Sequence, residues 1–263
     1  MRTLFFTFAA AACLAGTAHA QESANDPAEG FNRSMYSVND AVDRAVLEPV
    51  ARGYRAVTPS PVRAGVRNFL RNLRGPVIFA NDVLQGEFSR AGNTASRFAI
   101  NSTFGVAGLV DVANEVGIEH HDEDFGQTLA VWGVPAGPYV YMPIFGPSNV
   151  RDSAGRVVDI ALNPLTWAEF DGEDEFMATR SVLGAVSTRE ELIEPIEDVR
   201  NNSIDPYVTI RSTYALTRES AIRNGLQDVQ DLPEFEAIDE APAELPTETT
   251  GNVASEGEQG IPQ

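Results

Sequence analysis

Residues 60–76 read SPVRAGVRNFLRNLRGP, and they carry two parallel stripes at helical spacing. Apolar residues and arginines each recur every three or four positions, which places each set on one face of a helix. Ser60-Pro61 is typical of a helix start, and Gly75-Pro76 is expected to end the helix. We therefore predict a helix over residues 60–74. The residues of its two stripes and the ridge between them are Val62, Arg63, Val66, Arg67, Phe69, Leu70, Arg71, Leu73 and Arg74.

This helix has two interpretations, and the pattern leaves both open. An apolar stripe flanked by arginines suits a helix lying in a membrane interface, with the guanidinium groups at the lipid phosphates. The same pattern also fits a helix that packs on a core and keeps a solvated basic rim. Every basic residue of the chain is arginine, whose planar fork suits phosphate, but composition alone does not choose between the two.

Helical signals dominate the rest of the chain, so we predict a mainly α fold. Apolar spacing after Ser148 predicts a helix that stops at Asn163-Pro164, and Asp205-Pro206 begins a last helix that ends by Gly225. Thr188 and Glu191 have the spacing of a capping box at a further helix start. The best strand candidate is Tyr139–Met142. On the last helix, Tyr207, Ile210 and Tyr214 are the apolar positions.

The two ends of the chain differ from its middle. Residues 1–20 have the pattern of a secretory signal, with a possible cleavage site after Ala20. Cys13, the single cysteine, is either removed with that signal or acylated as a lipoprotein cysteine. Residues 228–263 contain ten acidic and no basic residues, which predicts a disordered acidic tail. The folded domain is then expected at residues 26–225.

The stretch GIEHHDEDFG (117–126) raises the question of a catalytic metal site. Adjacent His120 and His121 point in different directions in regular structure and lack the i, i+4 spacing of metal-binding helices. We interpret the stretch as a solvated loop in which Asp122 or Asp124 caps a helix beginning near Phe125. No G-x-S-x-G motif is present, and a P-loop requires the lysine that this chain lacks. The expectation is a protein that is not an enzyme and uses no metal or cofactor.

Several long blocks resemble the VacJ/MlaA-like outer-membrane lipoproteins, in the same order along the chain. Together they cover about 190 residues, nearly the whole predicted domain. The blocks are DPAEGFNRSMY (26–36), PSPVRAGVRNFLRNLRGP (59–76), NDVLQGEF (81–88), RFAINSTFGVAGLVDVA (97–113), FGQTLAVWGVPAGPYVYMPIFGPSNVRD (125–152) and DPYVTIRSTY (205–214).

The resemblance implies a ring-like assembly of amphipathic helices around a central lipid channel, in the inner leaflet of the outer membrane and beside a trimeric porin. It implies removal of misplaced phospholipids from the outer leaflet and hand-over to a soluble periplasmic lipid-carrier protein. Residues 31–40 become the candidate lipid path or gate, and the glycine- and proline-rich 133–147 loop becomes a candidate hinge or pore-lining segment. The candidate gating residues are Phe31, Asn32, Met35, Tyr36, Val38 and Asn39. The alternatives are a structural periplasmic adaptor that binds porins without moving lipid, and a His/acid metal hydrolase.

Overall fold

A computed structural model of the chain describes residues 25–225 and confirms the mainly α fold. The predicted signal, Cys13 and the acidic tail lie outside the described residues. The helices are α1 (Glu29–Val42), α2 (Glu48–Val57), α3 (Ser60–Gln85), α4 (Phe88–Thr103), α5 (Val112–Glu115), α6 (Phe125–Val131), α7 (Val150–Leu162), α8 (Glu173–Glu191), α9 (Ile193–Asn202) and α10 (Pro206–Ile222). A π-helical turn spans Asp43–Leu47, a 3-10 turn spans Pro164–Thr166, and the strands are β1 (Tyr139–Met142) and β2 (Gly146–Asn149).

Helix α3 begins at Ser60 as predicted, but its predicted end at Gly75-Pro76 is wrong. The helix runs through Pro76 to Gln85 and stops at Gly86, whose φ of 80° is left-handed. A proline inside a helix costs about 3 kcal/mol, so packing must offset that cost. Gly75 lies against Phe98 of α4, where an added Cβ would stand 3.1 Å from the ring, and Val77 and Ile78 are buried just beyond. Local sequence signals do not contain this contact with α4.

Of two other predicted helix starts, one is confirmed and one is wrong. Asp205 accepts a hydrogen bond from the Val208 N–H and starts α10, as predicted. The capping box at Thr188 is wrong, because Thr188 lies inside α8 and the next helix starts only at Ile193. Residues 187, 189 and 190 are buried around Thr188, so tertiary packing carries α8 past the local start signal.

Helices α1 and α2 form one continuous helical run through the π turn. Pro49 stands in the first turn of α2 and has no N–H to give to the preceding turn. Widening the hydrogen-bond pattern to i→i+5 at Asp43–Leu47 accommodates that missing donor. The run therefore continues from Glu29 to Val57 without a loop.

The predicted strand at Tyr139–Met142 is confirmed, and it pairs antiparallel with β2 in a short hairpin. Tyr139 lies opposite Asn149, and Met142 lies opposite Gly146. Tyr139 and Tyr141 point to one side, where they form a buried cluster with Tyr207 of α10. The rings meet edge-on, with 6.2 Å between the centroids of Tyr139 and Tyr207. This cluster joins the hairpin, α1 and α10.

Helices α6 and α7 approach so closely that their backbones touch at a pair of glycines. A Cβ added at Gly155 would stand 2.3 Å from the Gly126 nitrogen and 2.7 Å from its Cα. Real Cβ atoms do not come that close to backbone atoms, so the crossing requires glycine at residue 155. Within residues 25–225, no helix combines the length and the apolar character needed to cross a membrane.

Candidate functional site

The distribution of side chains is inverted relative to an ordinary soluble domain. Among residues 25–225, 17 polar or charged residues are buried but only 10 hydrophobic ones, whereas 32 large hydrophobic residues are exposed. Soluble monomers rarely expose large contiguous apolar patches, and charged groups are rarely buried unless they are paired. The exposed apolar faces therefore need a non-aqueous surrounding, and the buried polar groups form internal networks.

The longest exposed apolar stripe follows the α1–α2 run. Its members recur at intervals of seven or four residues, so they share one face along about seven helical turns. The first two members are among the predicted gating residues, and the sequence alone does not predict the stripe. The stripe consists of Phe31, Val38, Val42, Val46, Val50 and Val57, each at least 48% exposed.

The arginine stripe of α3 contacts carboxylates of α8. Arg63 Nε lies 3.2 Å from Glu190, and Arg67 lies 2.9 Å from Glu191 and 3.4 Å from Glu190. Farther along α3, Arg71 reaches Glu191 at 3.9 Å and Arg74 reaches Asp122 at 3.4 Å. These contacts hold α3 to its neighbours.

The apolar residues of α3 are mostly half-buried. Only Val62 is more than half exposed among the predicted stripe, while Val66, Phe69, Leu70 and Leu73 are intermediate. The place of helix α3 at a membrane interface stays a prediction. The exposed α1–α2 stripe is the larger apolar face.

The candidate gating segment lies along the β1–β2 hairpin. The amide of Asn32, buried in α1, donates to the Tyr139 carbonyl at 3.1 Å and accepts from the Tyr141 N–H at 2.9 Å. Tyr36 packs edge-on against Tyr141, with 5.6 Å between the ring centroids, and Met35 joins the same cluster. Phe31 is 58% exposed and faces away from this contact. The role of these residues in lipid passage stays a prediction.

Asn39 extends this contact to the tip of the hairpin. Its side chain donates to the Met142 carbonyl and accepts from the Ile144 N–H, each at 3.0 Å. Ile144 has a φ of 68°, which is strained for a β-branched residue, and its side chain is 84% exposed. The structure thus joins the candidate gate to the 133–147 loop through Asn39.

Asn32→Ala is expected to lower the free energy of unfolding by about 2 kcal/mol, because it leaves two buried backbone groups of β1 without partners. Urea denaturation of the full-length protein in mild detergent measures the change. Phe31→Ala, at the exposed neighbour, is the control and should change stability by less than about 0.5 kcal/mol. Equal stability of Asn32→Ala and the wild type would show that Asn32 does not hold the hairpin.

The structure corrects the interpretation of GIEHHDEDFG as a solvated loop. Asp124 caps α6 as expected by accepting from the Gln127 N–H, and it also binds Arg218 through both oxygens. Glu123, however, is only 1% exposed, with Arg90 2.7 Å from Oε1 and Gln85 2.9 Å from Oε2. The sequence run of charged residues gave no sign of this burial, since the partners of Glu123 come from distant α3 and α4.

His121 belongs to the same polar interior. Its Nε2 lies 3.0 Å from Asp82 Oδ1 and 3.2 Å from the Thr94 hydroxyl, and Asp82 is fully buried. His120 points elsewhere, toward Asp122 at 3.5 Å. Within residues 25–225, no three His, Cys, Asp or Glu side chains are grouped to hold a metal ion.

Burial changes the titration of several groups in this interior. Burial raises the pKa of Glu123 above the ordinary value of 4.5, against the lowering effect of Gln85 and Arg90. Burial likewise raises the pKa of Asp159, which accepts from Asn81 and from the Phe125 N–H. For Asp124, burial alone would raise the pKa, but the hydrogen bonds and charge of Arg218 bring it below the ordinary value.

Comparison with known proteins identifies the family. The profile of the MlaA lipoprotein family matches residues 24–221. The chain belongs to the MlaA lipoprotein family. It is 32% identical over 222 residues to the intermembrane phospholipid transport system lipoprotein MlaA of Escherichia coli K12, covering 83% of this chain and 86% of that protein. It is also 37% identical over 200 residues to an uncharacterised protein of Rickettsia typhi, covering 75% of this chain and 78% of that one.

A solved structure supports the same assignment. It comes from work on the structural basis for maintenance of bacterial outer membrane lipid asymmetry. The two folds superpose with a TM-score of 0.66 at 33% sequence identity, covering 75% of this chain and 98% of the other. The predicted family resemblance is thereby confirmed.

Proposed function

We propose that this protein removes misplaced phospholipids from the outer leaflet of the outer membrane and hands them to a soluble periplasmic carrier. The inverted burial pattern is the observation that carries the proposal: apolar faces are exposed and polar networks are internal. A protein with this distribution keeps its outer faces in lipid and offers a polar route to a head group. Relatives in Shigella flexneri and Escherichia coli are named for intermembrane phospholipid transport, which supports the same role.

In this proposal the helices surround the route, and the protein lies on the periplasmic side of the outer membrane beside a trimeric porin. The exposed α1–α2 stripe provides a long face for the inner leaflet. The activity moves a lipid without making or breaking a covalent bond, so the protein is not an enzyme. The Asn32–Asn39 face against the hairpin is the proposed gate, because it joins the strained hairpin tip to that membrane face.

The proposal predicts that deletion of the gene increases phosphatidylethanolamine in the outer leaflet. Labelling intact cells with a membrane-impermeant, amine-reactive reagent measures that lipid directly. The full-length gene supplied in trans should restore the wild-type level, and the protein should sediment with outer membranes. Recovery of all the protein in the soluble periplasm, with unchanged outer-leaflet lipid, would refute the proposal.

A photo-reactive phenylalanine derivative at Tyr36, which packs on the hairpin at the proposed gate, separates transport from a purely structural adaptor. A transporter should yield crosslinks to phospholipid in cells. An adaptor that only binds porins should yield protein crosslinks and no lipid.

A further inference from the structure

The connection between α4 and α5 contains an exposed apolar loop. This apolar loop spans residues 104–110 and reads FGVAGLV. The glycines at positions 105 and 108 are buried, whereas the large side chains of the loop are exposed. The exposed fractions are 74% for Phe104, 65% for Val106, 44% for Leu109 and 53% for Val110. The loop thus turns parts of its backbone inward and its apolar side chains outward.

The backbone of the apolar loop finds most of its hydrogen-bond partners within the protein. The Gly108 N–H donates to the Asn101 carbonyl at 2.8 Å, and the Val110 N–H donates to the Gly105 carbonyl at 2.9 Å. The N–H groups of residues 104, 107 and 109 also donate to nearby backbone carbonyls, which makes five bonded N–H groups out of seven. A surface loop in water does not need internal partners, but a loop in hydrocarbon does.

Helix α3 holds the other side of the apolar loop. The side-chain amide of Asn68 donates to the Leu109 carbonyl, and that of Asn72 donates to the Ala107 carbonyl, each at 3.4 Å. Gly108 lies so close to α3 that an added Cβ would stand 2.5 Å from the Asn72 Cβ. Neutral amides therefore fix the loop to the helix without placing a charge beside it.

The backbone of the apolar loop is strained. Val106, Ala107 and Gly108 have φ values of 53°, 57° and 95°, so three successive residues are left-handed. A β-branched residue such as Val106 rarely adopts this conformation, and it persists only where the surrounding structure enforces it. The fold therefore holds an apolar side chain exposed at a cost in backbone strain, which points to a function for the exposed surface.

The apolar loop also lacks charge. No charged residue occurs in the sequence from position 98 to position 110. The two charges that flank this stretch neutralise each other, because Arg97 lies 2.8 Å from both carboxylate oxygens of Asp111. A protein-binding surface usually surrounds its apolar centre with a polar rim. Hydrocarbon instead requires apolar side chains, no unpaired charge and internally bonded backbone groups, which is the combination found here.

We propose that the apolar loop inserts into the acyl chains of the inner leaflet and holds the C-terminal end of α4 in the bilayer. Lipid hydrocarbon is the partner, because it offers no hydrogen bonds and the loop needs few. The inference rests on the proposed function for the membrane location alone. It names the segment that enters hydrocarbon and does not depend on lipid transport.

The test measures the depth of the apolar loop in the bilayer. A fluorescent hydroxycoumarin amino acid replaces Phe104 in the full-length protein, in vesicles of phosphatidylethanolamine and phosphatidylglycerol. Three quenchers are compared: a nitroxide on the lipid acyl chain, a nitroxide on the lipid head group, and iodide in the water. The acyl-chain nitroxide is expected to quench at least about twofold more than the head-group nitroxide, and iodide should quench least. Stronger quenching by the head-group nitroxide or by iodide would overturn the insertion.

The matched control places the same fluorophore at Asp198, an exposed acid of α9. A charged position is costly in hydrocarbon, so iodide should quench this fluorophore more than the acyl-chain nitroxide does. Equal quenching profiles at the two positions would overturn the proposal, because the depth would then not belong to the loop. Because Phe104 is mostly exposed, the labelled protein should keep the urea midpoint of the wild type.

Photo-crosslinking in cells separates lipid from a protein partner. Benzoylphenylalanine in place of Phe104 should yield adducts to phospholipid. Adducts mainly to a porin or to another protein would overturn the lipid assignment.

The outcome also stands apart from that of the proposed function. If gene deletion raises outer-leaflet phospholipid but iodide quenches the fluorophore at position 104 most strongly, the transport role survives and the loop inference is wrong. If the loop inserts but deletion leaves the outer leaflet unchanged, the loop inference survives and the transport role fails.

Discussion

Gly155→Ala is expected to destabilise the protein by about 3 kcal/mol or more, at the upper end of overpacking effects. The added methyl would stand 2.3 Å from the Gly126 nitrogen, and backbone atoms cannot rotate away as a side chain would. Helices α6 and α7 must then separate, which weakens the Asp124 cap and the ion pair of Asp152 in α7 with Arg218, 2.7 Å apart. The denaturation midpoint in urea, measured on the full-length protein in mild detergent, should fall sharply.

Gly92→Ala is the matched control for this substitution. Gly92 lies inside α4, and no atom stands within 4 Å of an added Cβ. Alanine is a better helix former than glycine, so this variant should gain up to about 1 kcal/mol. If both variants lose the same stability, the cost comes from something other than the α6–α7 crossing.

Helix starts and strands that depend on residues close in sequence could be predicted from the sequence. The start of α3 at Ser60, the cap of α10 at Asp205 and the strand at Tyr139–Met142 depend on neighbouring residues, and all three are confirmed. The end of α3 could not be predicted, because continuation through Pro76 depends on Phe98 in another helix.

The candidate site also has residues that could be predicted from the sequence and contacts that could not. The segment from Phe31 to Asn39 was found through family resemblance, but its hydrogen bonds to the hairpin join residues more than 100 positions apart. Glu123 looked solvated because its neighbours in sequence are charged, and only the fold brings Gln85 and Arg90 to it. Hydrophobic periodicity identifies an apolar face without saying whether protein or lipid covers it.

Arg90→Met is expected to cost about 3–5 kcal/mol at neutral pH, the typical effect of removing one partner of a buried ion pair. Glu123 would keep Gln85 as a hydrogen-bond donor but would lose the charge that lies 2.7 Å from its Oε1. Burial already raises the pKa of Glu123, and Arg90 is one of the groups that oppose this rise. Removing Arg90 must therefore raise the pKa of Glu123 further.

This pKa change gives the Arg90→Met variant a distinctive pH dependence. The folded-state pKa of Glu123 lies above its unfolded value, so ionisation of Glu123 opposes folding. The contribution of Glu123 to the free energy of unfolding is therefore fully present below the unfolded pKa and is lost as pH rises through the folded pKa. The loss in free energy of unfolding relative to the wild type should thus be small near pH 5 and largest near pH 8, in urea titrations at each pH.

Glu123→Gln in the same background removes the buried charge and should recover most of the loss. Arg223→Met, at the exposed pair with Glu219, should cost no more than about 1 kcal/mol and show little pH dependence. A deficit of equal size at both pH values would mean that Arg90 stabilises the fold through packing, and that Glu123 is not left as an uncompensated buried charge.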